Sequence, residues 1–246
     1  MDTIKLLDGS EWNVKEILEK MEDNNFYYGF LGKNTLSSSV AKKLMVSADD
    51  YVESIKNPKD PNIKPFRDGR LIHVSILESD KLNDYYDFID VPSRRNKEFK
   101  LAAENSEGKE VMLEKERIWA DGLKEVVLQD PEIKEYITKG ECEKSGIGYI
   151  MGLPFRGKAD CLYEDKIIDL KTTSDIDNWE YNSYFYGYDI QSYIYTQLFH
   201  KDEFVFVIID KRNNKLKTYT APNDFIDSGK RKLRRAVENY IGHFGF

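Results

Sequence analysis

The chain predicts an α/β fold, a strand-containing core with a helical cap on its N-terminal side. Three observations carry this. The elements run as helices, a three-strand meander, a helix, more strands and a last helix, an order that layers of helix on sheet satisfy. At 246 residues the chain is long enough to bury one good-sized core. Hydrophobic residues at 40%, with 13% aromatics, can fill that core and argue against disorder. Neither internal repeats nor a low-complexity linker divides it, so residues 1–246 read as one domain.

Residues 1–33 form an N-terminal extension ending in Phe26-Tyr27-Tyr28-Gly29-Phe30, which is expected to pack on the core. Ser37-Ser38-Ser39 can cap a short helix reaching about Met45, and Ser47-Ala48-Asp49-Asp50 a second helix that ends before Pro58. Pro58, Pro61 and Pro65 mark an extended connection. Phe66 to Leu77 reads as a helix with Gly69 and His73 one turn apart, and residues 80–109 as polar and loop-rich. Glu110 to Gln129 has helical spacing, turning Met112, Ile118, Trp119, Leu123 and Val127 inward. A short helix follows Pro131, which suits a first-turn position. Strands are expected at about 141–150, 154–163 and 166–172, then a tyrosine-rich helix over 181–199. Glu203 to Asp210 and Lys215 to Thr220 make a hairpin around Asn213-Asn214. The last helix starts near Asp227, with Leu233, Val237 and Ile241 inward.

Composition narrows the chemistry. No apolar run approaches the roughly 20 residues that span a membrane, and Met1-Asp2-Thr3-Ile4-Lys5 lacks the layout of a secretory signal. A soluble, cytoplasmic protein is expected. Two cysteines, Cys142 and Cys161, cannot supply an iron–sulfur cluster or a four-thiolate zinc site, and read as small core residues. With three histidines, His73, His200 and His243, any metal site should be oxygen-rich and suit magnesium or manganese. No phosphate loop of the G-x-x-x-x-G-K-[ST] type is present, so no use of ATP is expected. A net charge of −7 does not advertise nucleic-acid binding. The charge is uneven, however. Arg94, Arg95, Lys97 and Lys100 crowd one segment and Lys230, Arg231, Lys232, Arg234 and Arg235 another, and either could track phosphates or be a solvated face.

The most chemical stretch is Gly157-Lys158-Ala159-Asp160 followed by Asp169-Leu170-Lys171-Thr172-Thr173. Strand alternation puts Asp169 and Lys171 on one face, Ile168 and Leu170 on the other. An acid and a base in an apolar strand are costly unless something lies between them, and a divalent metal with a phosphodiester would fill that gap. A buried salt bridge in a structural α/β protein is the plainer reading of the same pair.

With these residues in view, the chain resembles the PD-(D/E)xK nuclease superfamily, and most of all its RecE (exodeoxyribonuclease VIII)-like, RecB-like phage branch. Asp160 matches the first metal-binding aspartate, with Lys158-Ala159 where a proline-containing lead-in is usual. Asp169-Leu170-Lys171-Thr172-Thr173 matches the D-x-K-T-T block. Gln191-Ser192-Tyr193-Ile194-Tyr195 resembles the Q-x-x-x-Y helix, and Gly69-Arg70-Leu71-Ile72-His73 the G-x-x-x-H helix. Leu36-Ser37-Ser38-Ser39 is similar to the opening segment, so the likeness runs from about residue 35 to 210.

The resemblance implies a restriction-endonuclease-like core, a central mixed sheet flanked by helices, with N-terminal helical additions. It also implies a magnesium-dependent exonuclease, with manganese able to substitute, acting at linear duplex DNA ends by 5′→3′ resection. Asp160, Asp169 and Lys171 would be catalytic. His73, Asp160, Asp169 and the Leu170 main-chain carbonyl would hold the metal, and Gln191 and Tyr195 would bind DNA. Lys171 would position or deprotonate water, its pKa lowered by burial and by the metal. Glu141 and Glu143 compete for an acidic strand position that the family often shows. A homo-oligomer and a single-strand annealing protein as partner follow from the same likeness. A silent DNA-end-binding module and an endonuclease of the superfamily are the alternatives.

Overall fold

In the computed structural model, which describes residues 2–57, 60 and 62–245, the chain opens on a small hairpin. Thr3–Lys5 (β1) pairs antiparallel with Glu11–Asn13 (β2). Asn13 then caps Val14–Lys20 (α1), its side chain accepting from the Lys15 and Glu16 N–H groups. A π-helix, Asn25–Phe30, runs directly into Leu31–Asn34 (α2). Ile4, Leu6, Ile17, Met21, Tyr27 and Leu31 bury a small core of their own, against which Ile147 packs.

Ser38–Val46 (α3) and Ala48–Lys56 (α4) follow, α4 held at its start by the Ser47 hydroxyl, which accepts the Asp50 N–H. Pro58 and Pro61 lie outside the described residues. Pro65 does not extend the connection: it sits in the first turn of Lys64–Leu77 (α5), where its missing N–H leaves no bond unmade. The polar stretch after α5 holds more regular structure than its composition predicts, in Leu82–Tyr85 (α6), Tyr86–Ile89 (β3) and Lys97–Asn105 (α7). The helix expected from Glu110 begins only at Glu114. Glu110–Leu113 (β4) pairs in parallel with β3 instead, and Glu114–Gln129 (α8) follows it. Val111, Met112 and Leu113 are all buried, a continuous apolar run that suits a strand covered on both faces. The Glu116 carboxylate accepts the Leu113 N–H at 2.9 Å and so fixes where the helix starts.

After Pro131–Lys139 (α9), Glu141–Ile150 (β5), Leu153–Tyr163 (β6) and Lys166–Thr173 (β7) form the expected antiparallel meander. The tyrosine-rich helix is two, Trp179–Tyr186 (α10) and Tyr188–Phe199 (α11). Gly187 between them takes a left-handed φ of 68°, ending one helix and re-aiming the next. Glu203–Asp210 (β8) lies parallel to β7, and Lys215–Thr220 (β9) returns antiparallel. Asn223–Phe244 (α12) starts about a turn earlier than Asp227, directly after Pro222.

The result is one mixed sheet in the order β5-β6-β7-β8-β9, with helices on both faces. Strand alternation sorts its side chains. Ile167, Phe204, Phe206 and Ile208 pack with Ile190, Ile194, Leu233 and Val237 of α11 and α12. Ile168, Leu170, Val205 and Val207 pack with Leu71, Ile72, Ala120 and Leu123 of α5 and α8. Cys142 and Cys161 face each other across β5 and β6 as free thiols. Among the described residues, no helix is long and apolar enough to cross a membrane.

Candidate active site

The site opens where β6 and β7 part. Their ladder joins Cys161, Leu162 and Tyr163 to Ile168, Ile167 and Lys166 and stops there. Asp160, the next residue, meets the strand with its side chain: Oδ2 accepts the Leu170 N–H at 2.7 Å, a donor that the ladder no longer satisfies. From α5, His73 reaches the same place, with Nε2 2.9 Å from the Leu170 carbonyl and Nδ1 3.6 Å from Asp160 Oδ2. A carbonyl only accepts, so Nε2 carries the proton and donates it. The lone pair of Nδ1 in the neutral ring then faces a carboxylate, which is unfavourable unless a proton or a cation lies between.

A third group comes from β5. Glu143 has a φ of 53°, left-handed backbone that breaks the pleat. Regular alternation would put Glu141 and Glu143 on one face. Instead Glu141 pairs with Lys144 in solvent, 2.7 Å away, and Glu143 turns to the site. Burial, then the charge of Asp160, pushes its carboxyl up to about 7, against the pull of Lys158. Ligand atoms of His73, Glu143 and Asp160 all lie within 4.8 Å of one another. Opposed ligands stand about 4.2 Å apart around magnesium and about 5 Å apart around calcium, so atoms within 4.8 Å of one another could close on a hard divalent ion with a small shift. The imidazole nitrogen makes manganese at least as suitable as magnesium.

Asp169 is not one of those three. It is 1% exposed and stands behind them, Oδ1 accepting from Gln191 Nε2 at 2.7 Å and Oδ2 against the Lys171 ammonium. Burial pushes Asp169 up to about 6, while Lys171 opposes that shift. Lys171 departs from the expected direction. Burial pulls its pKa down, but Asp169 and Asp160 outweigh that and hold it above the ordinary lysine value. The ammonium also lies 4.9 Å from the centre of the Tyr188 ring.

Gln191 therefore spends its amide on Asp169, where a phosphate contact was expected. Tyr195 is buried against Gly157, where even a methyl group would come within 2.7 Å of its ring. That close fit seats α11 on β6.

A cavity of about 1130 Å³ covers the cluster, with His73, Glu143, Asp160, Leu170 and Lys171 in its wall. Lys42, Arg70, Lys158 and Lys211 add positive charge, and Tyr27, Tyr28, Tyr186 and Tyr188 add aromatic surface. Lys42 was not anticipated. Its ammonium stands 5.4 Å from the Tyr188 ring centre, and burial, then Lys171, lowers it to about 8. Its place on α3, one turn beyond Ser37-Ser38-Ser39, was the signal that could have marked it. The two basic segments are partly structural. Arg94 pairs with Glu116 at 2.6 Å and Lys232 with buried Asp189 at 2.6 Å, while Arg95, Lys97, Lys100, Lys230, Arg231, Arg234 and Arg235 are exposed.

The fold is similar to that of a "putative exonuclease" from Eubacterium rectale, at a TM-score of 0.64 and 16% identity over 88% of this chain and 86% of that one. A phage-related exonuclease from Haemophilus somnus 129PT aligns at a TM-score of 0.36 and 15% identity, over 84% of this chain and 93% of that one. No curated protein matches the sequence. The family model described as a PDDEXK-like domain of unknown function (DUF3799) matches residues 37–242, from the residue before α3 into the last turn of α12, and the chain belongs to that family.

Proposed function

We propose that the protein is a divalent-metal-dependent nuclease that hydrolyses phosphodiester bonds at the ends of linear duplex DNA, resecting 5′→3′ to expose a strand for annealing. One observation carries the reading: His73, Glu143 and Asp160 converge within 4.8 Å beside a half-buried lysine, in a cavity walled by cations and tyrosines. The family match and the nuclease-like fold support it. The resemblance supplies the exonuclease subtype, its polarity, and the expectation of an annealing-protein partner and a homo-oligomer.

His73, Glu143 and Asp160 would hold magnesium or manganese, with the Leu170 main-chain carbonyl, which accepts from His73 Nε2, beside them. A cation held there would offset phosphate charge and lower the pKa of water. The chain's own groups do the rest. Gln191 holds Asp169, and Asp169 holds Lys171 charged and aimed. Lys171 is thus placed to donate a hydrogen bond to a phosphate oxygen or to the attacking water. Lys42 is a second cation for the phosphate, with no ion pair to another side chain among the described residues.

Linear duplexes labelled at the 5′ or 3′ end, and a closed circle, test this with magnesium, with manganese and with chelator. Release of short 5′-labelled products from linear DNA alone is expected. Asp160→Asn and Lys171→Ala should each lose more than the 10–100-fold typical of groups one step removed from a metal. Cutting of the circle would make it an endonuclease, and binding without product in either metal a silent end-binding module. Full activity in a folded Asp160→Asn variant would remove the assignment.

A further inference from the structure

Residues 1–33 precede the family match, which begins at 37, yet they build part of the cavity wall. The π-helix Asn25–Phe30 presents two consecutive tyrosines differently. Tyr27 is 6% exposed, its ring under the Arg156 guanidinium at 5.0 Å and the Lys158 ammonium at 5.5 Å. Tyr28 packs edge-on against it, centroids 4.8 Å apart, and is 67% exposed. Its hydroxyl takes no hydrogen bond among the described residues. Ile4, Leu6, Ile17, Met21, Tyr27 and Leu31 form the small core without Tyr28.

The ring stands close to the chemistry. Tyr28 lines the same cavity as His73, Glu143 and Asp160. Arg156, which fixes Tyr27, also donates to the Leu31 carbonyl at 3.0 Å and to Thr35 Oγ1 at 2.8 Å, so the segment is tied to β6 at this point. The cavity, about 1130 Å³, exceeds the roughly 300–1,000 Å³ of ordinary small-molecule sites and is lined by cations as well as rings. Positive charge beside an exposed aromatic ring, here that of Tyr28, is the chemistry that grips an unpaired nucleic-acid strand, phosphates on the cations and a base on the ring.

We infer that Tyr28 is a base-stacking residue, holding an unpaired nucleobase beside the phosphodiester at the His73, Glu143 and Asp160 cluster. The strand entering this site is therefore single at the point of cutting. This deepens the nuclease reading and rests on it. Tyr27 is its positioning residue, held under Arg156 and Lys158.

The test uses the full chain with manganese and two single-stranded oligonucleotides, one bearing 2-aminopurine among ordinary bases, the other carrying abasic tetrahydrofuran residues along the same backbone. Stacking on one base is worth about 1–3 kcal/mol, or roughly 5- to 150-fold. Tyr28→Ala should raise KM on the base-bearing strand by that factor, and the penalty should vanish on the abasic strand. Tyr28→Phe and Tyr28→Trp should restore the wild-type KM, and 2-aminopurine fluorescence should be quenched by wild type but not by Tyr28→Ala. An equal penalty on both strands, or none on either, overturns the inference while leaving the nuclease intact. Should wild type cleave neither strand, the linear-duplex assay above decides the nuclease reading, and the quenching comparison still decides whether Tyr28 stacks on a base.

Discussion

At a φ of 53° within a strand, Glu143 carries a cost of about 1–2 kcal/mol that glycine there would not. Its carboxyl adds another, because burial and Asp160 both disfavour the charged form. Strain of this kind persists where function requires the geometry. Glu143→Gly should therefore melt no lower than wild type while losing metal-dependent cleavage by at least about 100-fold. A lower melting temperature would make Glu143 structural. The sign of its pKa shift gives a second prediction. Glu143, up to about 7, and Asp169, up to about 6, hold protons more tightly folded than unfolded. That contribution to stability is fully present below the unfolded carboxyl pKa, near 4.3 for glutamate, and is lost as pH rises to about 7. A cation needs the ionised carboxylates, so the melting-temperature gain from manganese should be larger at about pH 8 than at about pH 5.5. Equal gains would place Glu143 outside the metal set. At this scale the sequence was legible in part. His73, Asp160 and Lys171 were readable as residue types at motif spacing, and they do stand together. The choice between Glu141 and Glu143 was not, because one left-handed residue decides it and nothing in the amino-acid order announces that residue.

Helix α11 matters as an element because it carries Gln191 and Tyr195 while being gripped from outside by α12. Asp189, fully buried in its first turn, accepts from Ser228 at 2.8 Å and pairs with Lys232 at 2.6 Å. Backbone meets backbone next to that pair: a methyl group on Gly229 would lie 1.9 Å from the Asp189 carbonyl oxygen. Gly229→Ala must push the two helices apart, and overpacking of this kind costs about 1–3 kcal/mol or more. A lower denaturation midpoint with unchanged slope is the expected result, and an unchanged midpoint would show that α12 is free to move. The same region shows what periodicity could and could not convey. Apolar spacing ran without interruption across 181–199, so one helix was the natural reading, and the break at Gly187 depends on a backbone conformation that spacing does not encode. Likewise, Met112 fits the helical spacing of Ile118, Trp119, Leu123 and Val127 until β3 supplies a parallel partner, a non-local fact.

The whole molecule is acidic, at a net charge of −7, although its cavity is lined by Lys42, Arg70, Lys158 and Lys211. These two facts make different demands on a strand of nucleic acid. Long-range attraction should be weak, since the summed field repels phosphates, and binding should depend on the few cations it meets inside. Each phosphate neutralised on a single strand contributes a slope of about −0.7 to log K against log salt, so four such contacts among the cavity cations give about −3. Were exposed Lys230, Arg231, Arg234 and Arg235 on α12 also in contact, the slope would approach about −6. The cavity is the better supported of the two. Lys232, in the middle of that stripe, is turned inward onto Asp189, and Leu233 beside it is buried, so the exposed cations of α12 are the outer face of a packed helix. Titration of a fluorescent single strand against the calcium-loaded protein at several salt concentrations measures the slope directly. A value near −3 confines the strand to the cavity, whereas one near −6 extends its path across α12 and returns that basic segment to the binding surface.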